Sequence, residues 1–108
     1  MREAKIEKSM VSRVSGLGGL CWKWVSPGTN GVPDRIILFP GGRIIFCELK
    51  APGEKPRPLQ LYRKKQLEGL GFEIRVVDSM EGIENLIREE MDRHEAASVS
   101  GIRQGADH

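Results

Sequence analysis

Apolar residues in the first part of the chain recur at helical spacing. Ile6, Met10 and Val14 stand at i, i+4 and i+8, with Val11 and Leu17 alongside, which predicts an amphipathic helix over residues 2–16. Gly16, Gly18 and Gly19 end it. The period then changes. LCWKWV (20–25) predicts a strand, SPGTNGVP (26–33) a loop, and residues 34–39 and 43–50 a hairpin about a Pro-Gly-Gly turn. APGEKPRP (51–58) is a stiff, proline-rich connection that delivers Pro58 to the first position of a second helix. That helix runs to about Leu70, with Leu59, Tyr62, Leu67 and Leu70 roughly along one face. FEIRVV (72–77) alternates as a strand, and Ser79 is the N-cap of a third helix whose stripe is Ile83, Leu86, Ile87 and Met91. From Arg93 the apolar period is lost, so residues 93–108 read as a frayed or disordered tail beyond a domain of residues 1–92.

The order α-β-β-β-α-β-α defines the fold class: α/β, with a small mixed sheet flanked by helices. The hairpin must be antiparallel, whereas strand, helix and strand over residues 43–77 predict a parallel crossover. A length of 108 residues supports one domain with a modest core. With 30% charged and 39% hydrophobic residues, the composition is that of a folded protein rather than a disordered one. The net charge of +2 gives no global sign of nucleic-acid binding, so any basic surface must be local. Cys21 and Cys47 both lie in apolar stretches and read as reduced, buried thiols. His94 and His108 are too far along the chain to suggest a Cys/His metal site. No run approaches the roughly 20 apolar residues of a membrane span. MREAKIEKSM lacks a signal-peptide core. The expectation is a cytoplasmic protein without a membrane partner.

Charge at the open end of the hairpin changes this bland picture. Asp34 opens its first strand; Glu48 and Lys50 close its second. If the loop is the three residues Pro40, Gly41 and Gly42, Phe39 pairs with Arg43 and Asp34 falls opposite Glu48 on one face, their Cβ atoms about 4.5–5.5 Å apart. A two-residue Gly-Gly turn would instead set Asp34 against Leu49 and turn the acids to opposite faces. Two facing carboxylates repel, and a divalent cation removes the conflict; hard oxygen donors suit Mg2+ or Mn2+. Lys50 follows on the same face, about 6.5 Å along the strand, where an ammonium can orient water or stabilise charge developing on a phosphate. Two acids, a metal and a lysine are suited to phosphodiester hydrolysis.

These residues carry a resemblance. Pro33-Asp34, then Glu48-Leu49-Lys50 after a turn, resembles the PD-(D/E)XK nuclease superfamily with its restriction-endonuclease-like core. The longer series GGLCWKWVSPGTNGVPDRIILFPGGRIIFCELKAP, then PLQ, then GFEIRVVDS, closely resembles the stand-alone VRR-NUC family of phages and bacteria, over about residues 3–91. The resemblance implies that Asp34 and Glu48 bind the metal with the Leu49 backbone carbonyl, and that Lys50 is the catalytic lysine. It matches Glu7 to an acid placed near the metal and Gln60 to a glutamine that follows the core motif. It further implies a Mg2+- or Mn2+-dependent DNA endonuclease, selective for four-way junctions or other branched DNA, and a homodimer. A non-catalytic DNA-binding or assembly module with a degenerate site, and a restriction-type nuclease acting on linear duplex, are the competing readings.

Lys55, Arg57, Arg63, Lys64 and Lys65 cluster around the second helix and are candidates to hold the DNA backbone. Ser26 to Asn30 are candidates to hold phosphate through backbone amides. Trp22 and Trp24 share a strand face, open to core or dimer packing and, alternatively, to base stacking.

Overall fold

The computed structural model describes residues 2–106, with side chains to residue 96. Its elements are α1 (Glu3–Gly16), β1 (Leu20–Lys23), β2 (Arg35–Phe39), β3 (Arg43–Leu49), α2 (Pro58–Gly69), β4 (Glu73–Val77) and α3 (Met80–Ala106). The order is the one that the apolar pattern predicts. The four strands lie side by side in chain order. β1–β2 and β2–β3 are antiparallel and β3–β4 is parallel, with α2 in the crossover. No described helix is long and apolar enough to cross a membrane.

Alternation along the strands divides the sheet into two unlike faces. On the first, Ile37, Phe39, Ile45, Cys47, Leu49 and Val77 meet Ile6, Met10 and Val14 of α1 and Ile83, Leu86 and Ile87 of α3. Ile6, Met10 and Val14 are fully buried, as their spacing requires. Arg13 of α1 pairs with Glu84 of α3 at the rim of this layer. Both thiols are free and buried, and burial pushes each thiol upward, so neither is poised as a nucleophile.

The second face carries Leu20, Trp22, Ile36, Leu38, Ile44, Phe46, Glu48 and Ile74, and is covered only in part. α2 lies near β4 and buries none of its own residues. Leu20, Trp22 and Ile44 remain 48%, 56% and 36% exposed. The loop before β2 closes one flank of α2, where a Cβ on Gly31 would stand 2.7 Å from Cγ of Leu59; with φ at +85° as well, glycine alone suits that position.

Two features of α3 depart from the pattern. Ser79 caps it as expected, its Oγ accepting from the Gly82 N–H at 3.0 Å. Met91, however, is exposed, and Glu90 is the buried residue of that turn, bonded to Arg43 Nε at 2.8 Å. Arg43 also donates to Glu73 at 2.6 Å, so a part-buried ion network takes the place of an apolar contact there. Against the upward push of burial, hydrogen bonds from Arg43 and Arg75 hold the Glu73 carboxyl below its ordinary value. α3 also continues to Ala106, through the region expected to fray from residue 93. Glu95, Ala96 and Ala97 favour helix by themselves, so losing the apolar stripe removes packing without removing propensity. The last two residues of the expected tail lie outside the described residues.

Candidate active site

The hairpin register decides which chemistry is available, and the turn decides the register. Phe39 pairs with Arg43, leaving Pro40, Gly41 and Gly42 as a three-residue loop. Gly41 and Gly42 take φ of +89° and +77°, conformations that L side chains disfavour. The ladder runs back to Arg35 opposite Cys47, so the next pair sets Asp34 opposite Glu48. The two carboxyl groups are thus neighbours on one face, and each also accepts an N–H, Asp34 from Leu49 and Glu48 from Gln60.

This arrangement is electrostatically costly. Glu48 is only 3% exposed. Burial first, then the hydrogen bond and charge of Asp34, push the Glu48 carboxyl up to about 8; Lys50 opposes the rise and Glu3 adds to it. Lys50 is 9% exposed, and its N–H extends the β3–β4 ladder to the Val77 carbonyl at 3.0 Å.

Asp34 is fixed from two sides. Its carbonyl accepts from the Trp24 N–H at 2.9 Å, and its Oδ2 accepts from the Leu49 N–H at 2.7 Å. Backbone polar groups alternate between a strand's two neighbours. Since the Asp34 backbone faces β1, that of Pro33 faces β3, and the register sets it opposite Leu49. Proline has no N–H, so the Leu49 carbonyl receives no ladder bond from this side. Asp34, Glu48 and the Leu49 carbonyl therefore offer hard oxygen donors at one end of one hairpin. That set fits a small divalent cation, with remaining positions filled by water or phosphate. Among the described residues, no group of three or more His, Cys, Asp or Glu side chains gathers as a metal cluster.

Gln60 joins the site from α2. Its Oε1 accepts from the Arg57 N–H at 2.7 Å, capping the helix start, so its Nε2 is left to donate to Glu48 Oε1 at 3.1 Å. Glu7 does not join in this way. Its carboxylate is held by Arg35 Nε at 3.0 Å, while Arg35 also donates to the Cys21 carbonyl at 3.0 Å. Glu3, one turn earlier on the same helix, is exposed, and its charge is the smallest of the influences on Glu48. Glu3 and Glu7 share a helix face at i, i+4, and spacing alone does not say which one Arg35 engages.

The basic residues divide. Lys64 lines the recess beside Glu48 and Gln60 and pairs with Glu68 at 3.1 Å. Arg63 donates to the Asn30 carbonyl at 2.8 Å and to Gln66 at 2.9 Å, tying the loop that begins at Ser26 to α2. Lys55, Arg57 and Lys65 are exposed.

A mixed sheet flanked by helices, with two acids and a lysine at the open end of its hairpin, defines the class: a small α/β nuclease core. This chain belongs to the VRR-NUC family. It is 52% identical over 81 residues to "Putative nuclease p44" of Acyrthosiphon pisum secondary endosymbiont phage 1, a match covering 75% of this chain and 87% of that protein. A solved structure described as a VRR_NUC domain superposes with a TM-score of 0.76 at 33% identity, over 80% of this chain and 94% of the other. No family model matches the chain.

Proposed function

We propose that this nuclease is a divalent-metal-dependent DNA endonuclease, acting with Mg2+ or Mn2+ and selective for four-way junctions or other branched DNA. The observation that carries the reading is the hairpin register that sets Asp34 opposite the buried Glu48, with the buried Lys50 two residues on. A chain gains nothing structurally from pressing two acids together in a buried place, and a cation turns the same arrangement into a binding site.

In this reading Asp34, Glu48 and the Leu49 carbonyl hold the metal. When bound, the cation neutralises charge on the scissile phosphate and makes a water more acidic. The Leu49 N–H keeps Asp34 in its rotamer, and Gln60 fixes Glu48. The Lys50 ammonium faces the developing charge and orients the attacking water. Glu3, rather than the Arg35-bound Glu7, is the α1 acid that adds negative charge at the site. Lys55, Arg57 and Lys65 carry the backbone of the DNA, with Lys64 nearer the acids; Arg63, Ser26 and Asn30 shape the adjoining loop.

Hydrolysis of both strands of a symmetric substrate needs two sites, and one chain holds one. A second copy covering Leu20, Trp22 and Ile44 supplies the other, because these exposed apolar side chains share one sheet face, which reaches the free edge at β1.

Branched, flap and linear DNA incubated with Mg2+, Mn2+ or EDTA test the whole reading. Cutting should require the metal, favour the branched substrates and disappear in Asp34→Ala and Lys50→Ala. Tight binding without metal-dependent cutting in the unaltered protein would point to a non-catalytic module. Equal cutting of junctions and sequence-matched duplexes would point to a restriction-type enzyme.

A further inference from the structure

We infer that the cavity between Trp24 and α2 receives one unpaired nucleobase of the DNA, immediately beside the phosphate being cut. The inference rests on the nuclease reading and adds a source for its selectivity.

The cavity has a volume of about 270 Å³ and lies between α2 and the loop that follows β1. Trp24, Val32 and Leu67 give it apolar walls, while Ser26, Thr29 and Arg63 bring polar groups to it. A nucleobase has this character: flat apolar faces and a hydrogen-bonding edge. The cavity is also held open. The Trp24 ring rests on Phe46, centroids 4.9 Å apart at 32°, and Phe46 is braced edge-on by Phe72 at 5.3 Å. Arg63 spends Nε on the Asn30 carbonyl and one Nη on Gln66, which keeps further N–H donors for a ligand.

Position argues for DNA rather than a free metabolite. Trp24 donates its backbone N–H to the Asp34 carbonyl at 2.9 Å, so the two residues face each other across the ladder. Their side chains rise from the same face about 5 Å apart. A phosphate lying against Asp34 and Glu48 thus has a neighbouring base within reach of the Trp24 indole. A base paired within duplex must break its stack to enter, whereas a nucleotide at a branch is already unpaired. The cavity would reward branched DNA without reading its sequence.

The test uses the full chain and flap DNAs in which each unpaired position next to the branch carries, in turn, a base or an abasic site. Dissociation constants measured in EDTA keep binding separate from cutting. At one position the base-bearing DNA should bind about tenfold more tightly than its abasic counterpart, as expected for one stacked base. Thr29→Phe, a plug introduced from the exposed loop, should erase that preference. Equal affinity of the unaltered protein for base and abasic DNA at every position overturns the inference, whether or not the variant folds. A protein that cuts with Mg2+ yet shows no preference refutes the cavity alone; a preference without any cutting refutes the nuclease reading alone. If the plug instead dissociates a dimer and no base preference exists, a second copy occupies the cavity and the inference falls.

Discussion

Glu48 ties stability, metal and pH together. Its folded carboxyl is raised to about 8, above its ordinary value of 4.5. The protonated form is therefore the one that folding favours without a cation. That contribution is complete below about pH 4.5 and is lost as pH rises through 8. In EDTA, the melting temperature should fall across this window, and Glu48→Gln should flatten the decline. Titration with Mg2+ should show affinity rising with pH over the same range, because the ion binds the ionised form. A melting profile in EDTA that is indifferent to Glu48→Gln would contradict the assignment. The two α1 acids should separate equally clearly. Glu7→Gln removes the charge partner of Arg35, whose side chain is 12% exposed, and should cost about 1–3 kcal/mol in denaturant unfolding while sparing metal affinity. Glu3→Gln should do the reverse, weakening Mn2+ uptake in calorimetry with little effect on unfolding. At this scale the sequence alone was informative for Asp34, Glu48 and Lys50, whose placement follows from strand alternation. It was not informative for Glu3 against Glu7, since the choice is made by Arg35 from β2, far along the chain.

Among elements, the hairpin was the most legible and α3 the least. Apolar runs bounded by Pro-Gly-Gly fix both strands, and the three-residue loop then sets every pair from Phe39–Arg43 to Arg35–Cys47. α3 was misread where electrostatics replaced packing. A helical stripe points to Met91, yet Arg43 on the sheet holds a buried Glu90 at the adjacent position. Nothing in the helix itself announces a partner 47 residues away. α2 follows its predicted span but buries no residue, because the sheet beneath it is only half covered. The hairpin makes a strong prediction. Inserting one alanine between Leu38 and Phe39 keeps the turn but shifts every earlier pair by one, which sets Asp34 against Leu49, turns Asp34 and Glu48 to opposite faces and exchanges core for solvent side chains. The variant should lose its near-ultraviolet circular dichroism together with Mn2+ binding. A folded variant that still binds the ion would overturn the register account.

For the molecule as a whole, one face of the sheet is closed by two helices and the other is covered only in part, by α2. Trp22 is 56% exposed on the same face as the exposed Leu20 and Ile44, an arrangement that a second copy would cover. Trp22→Glu should reduce the mass seen in light scattering from dimer to monomer and leave the melting curve of the monomer nearly intact. If the unaltered protein is already monomeric at the same concentration, this surface has another use. Sequence made the exposed tryptophan visible but not its exposure, which depends on where α2 settles. The hairpin has one more consequence, for the order in which the molecule takes shape. Both acids of the proposed ion clamp are delivered by a single local turn, so the clamp requires neither α1 nor β4 to come together. A nascent chain emerging with only this hairpin formed would already own most of its ion-binding oxygens, and a cation captured then would act as a clasp. Refolding from denaturant should accordingly be faster in Mg2+ than in EDTA, and Asp34→Asn should abolish the difference.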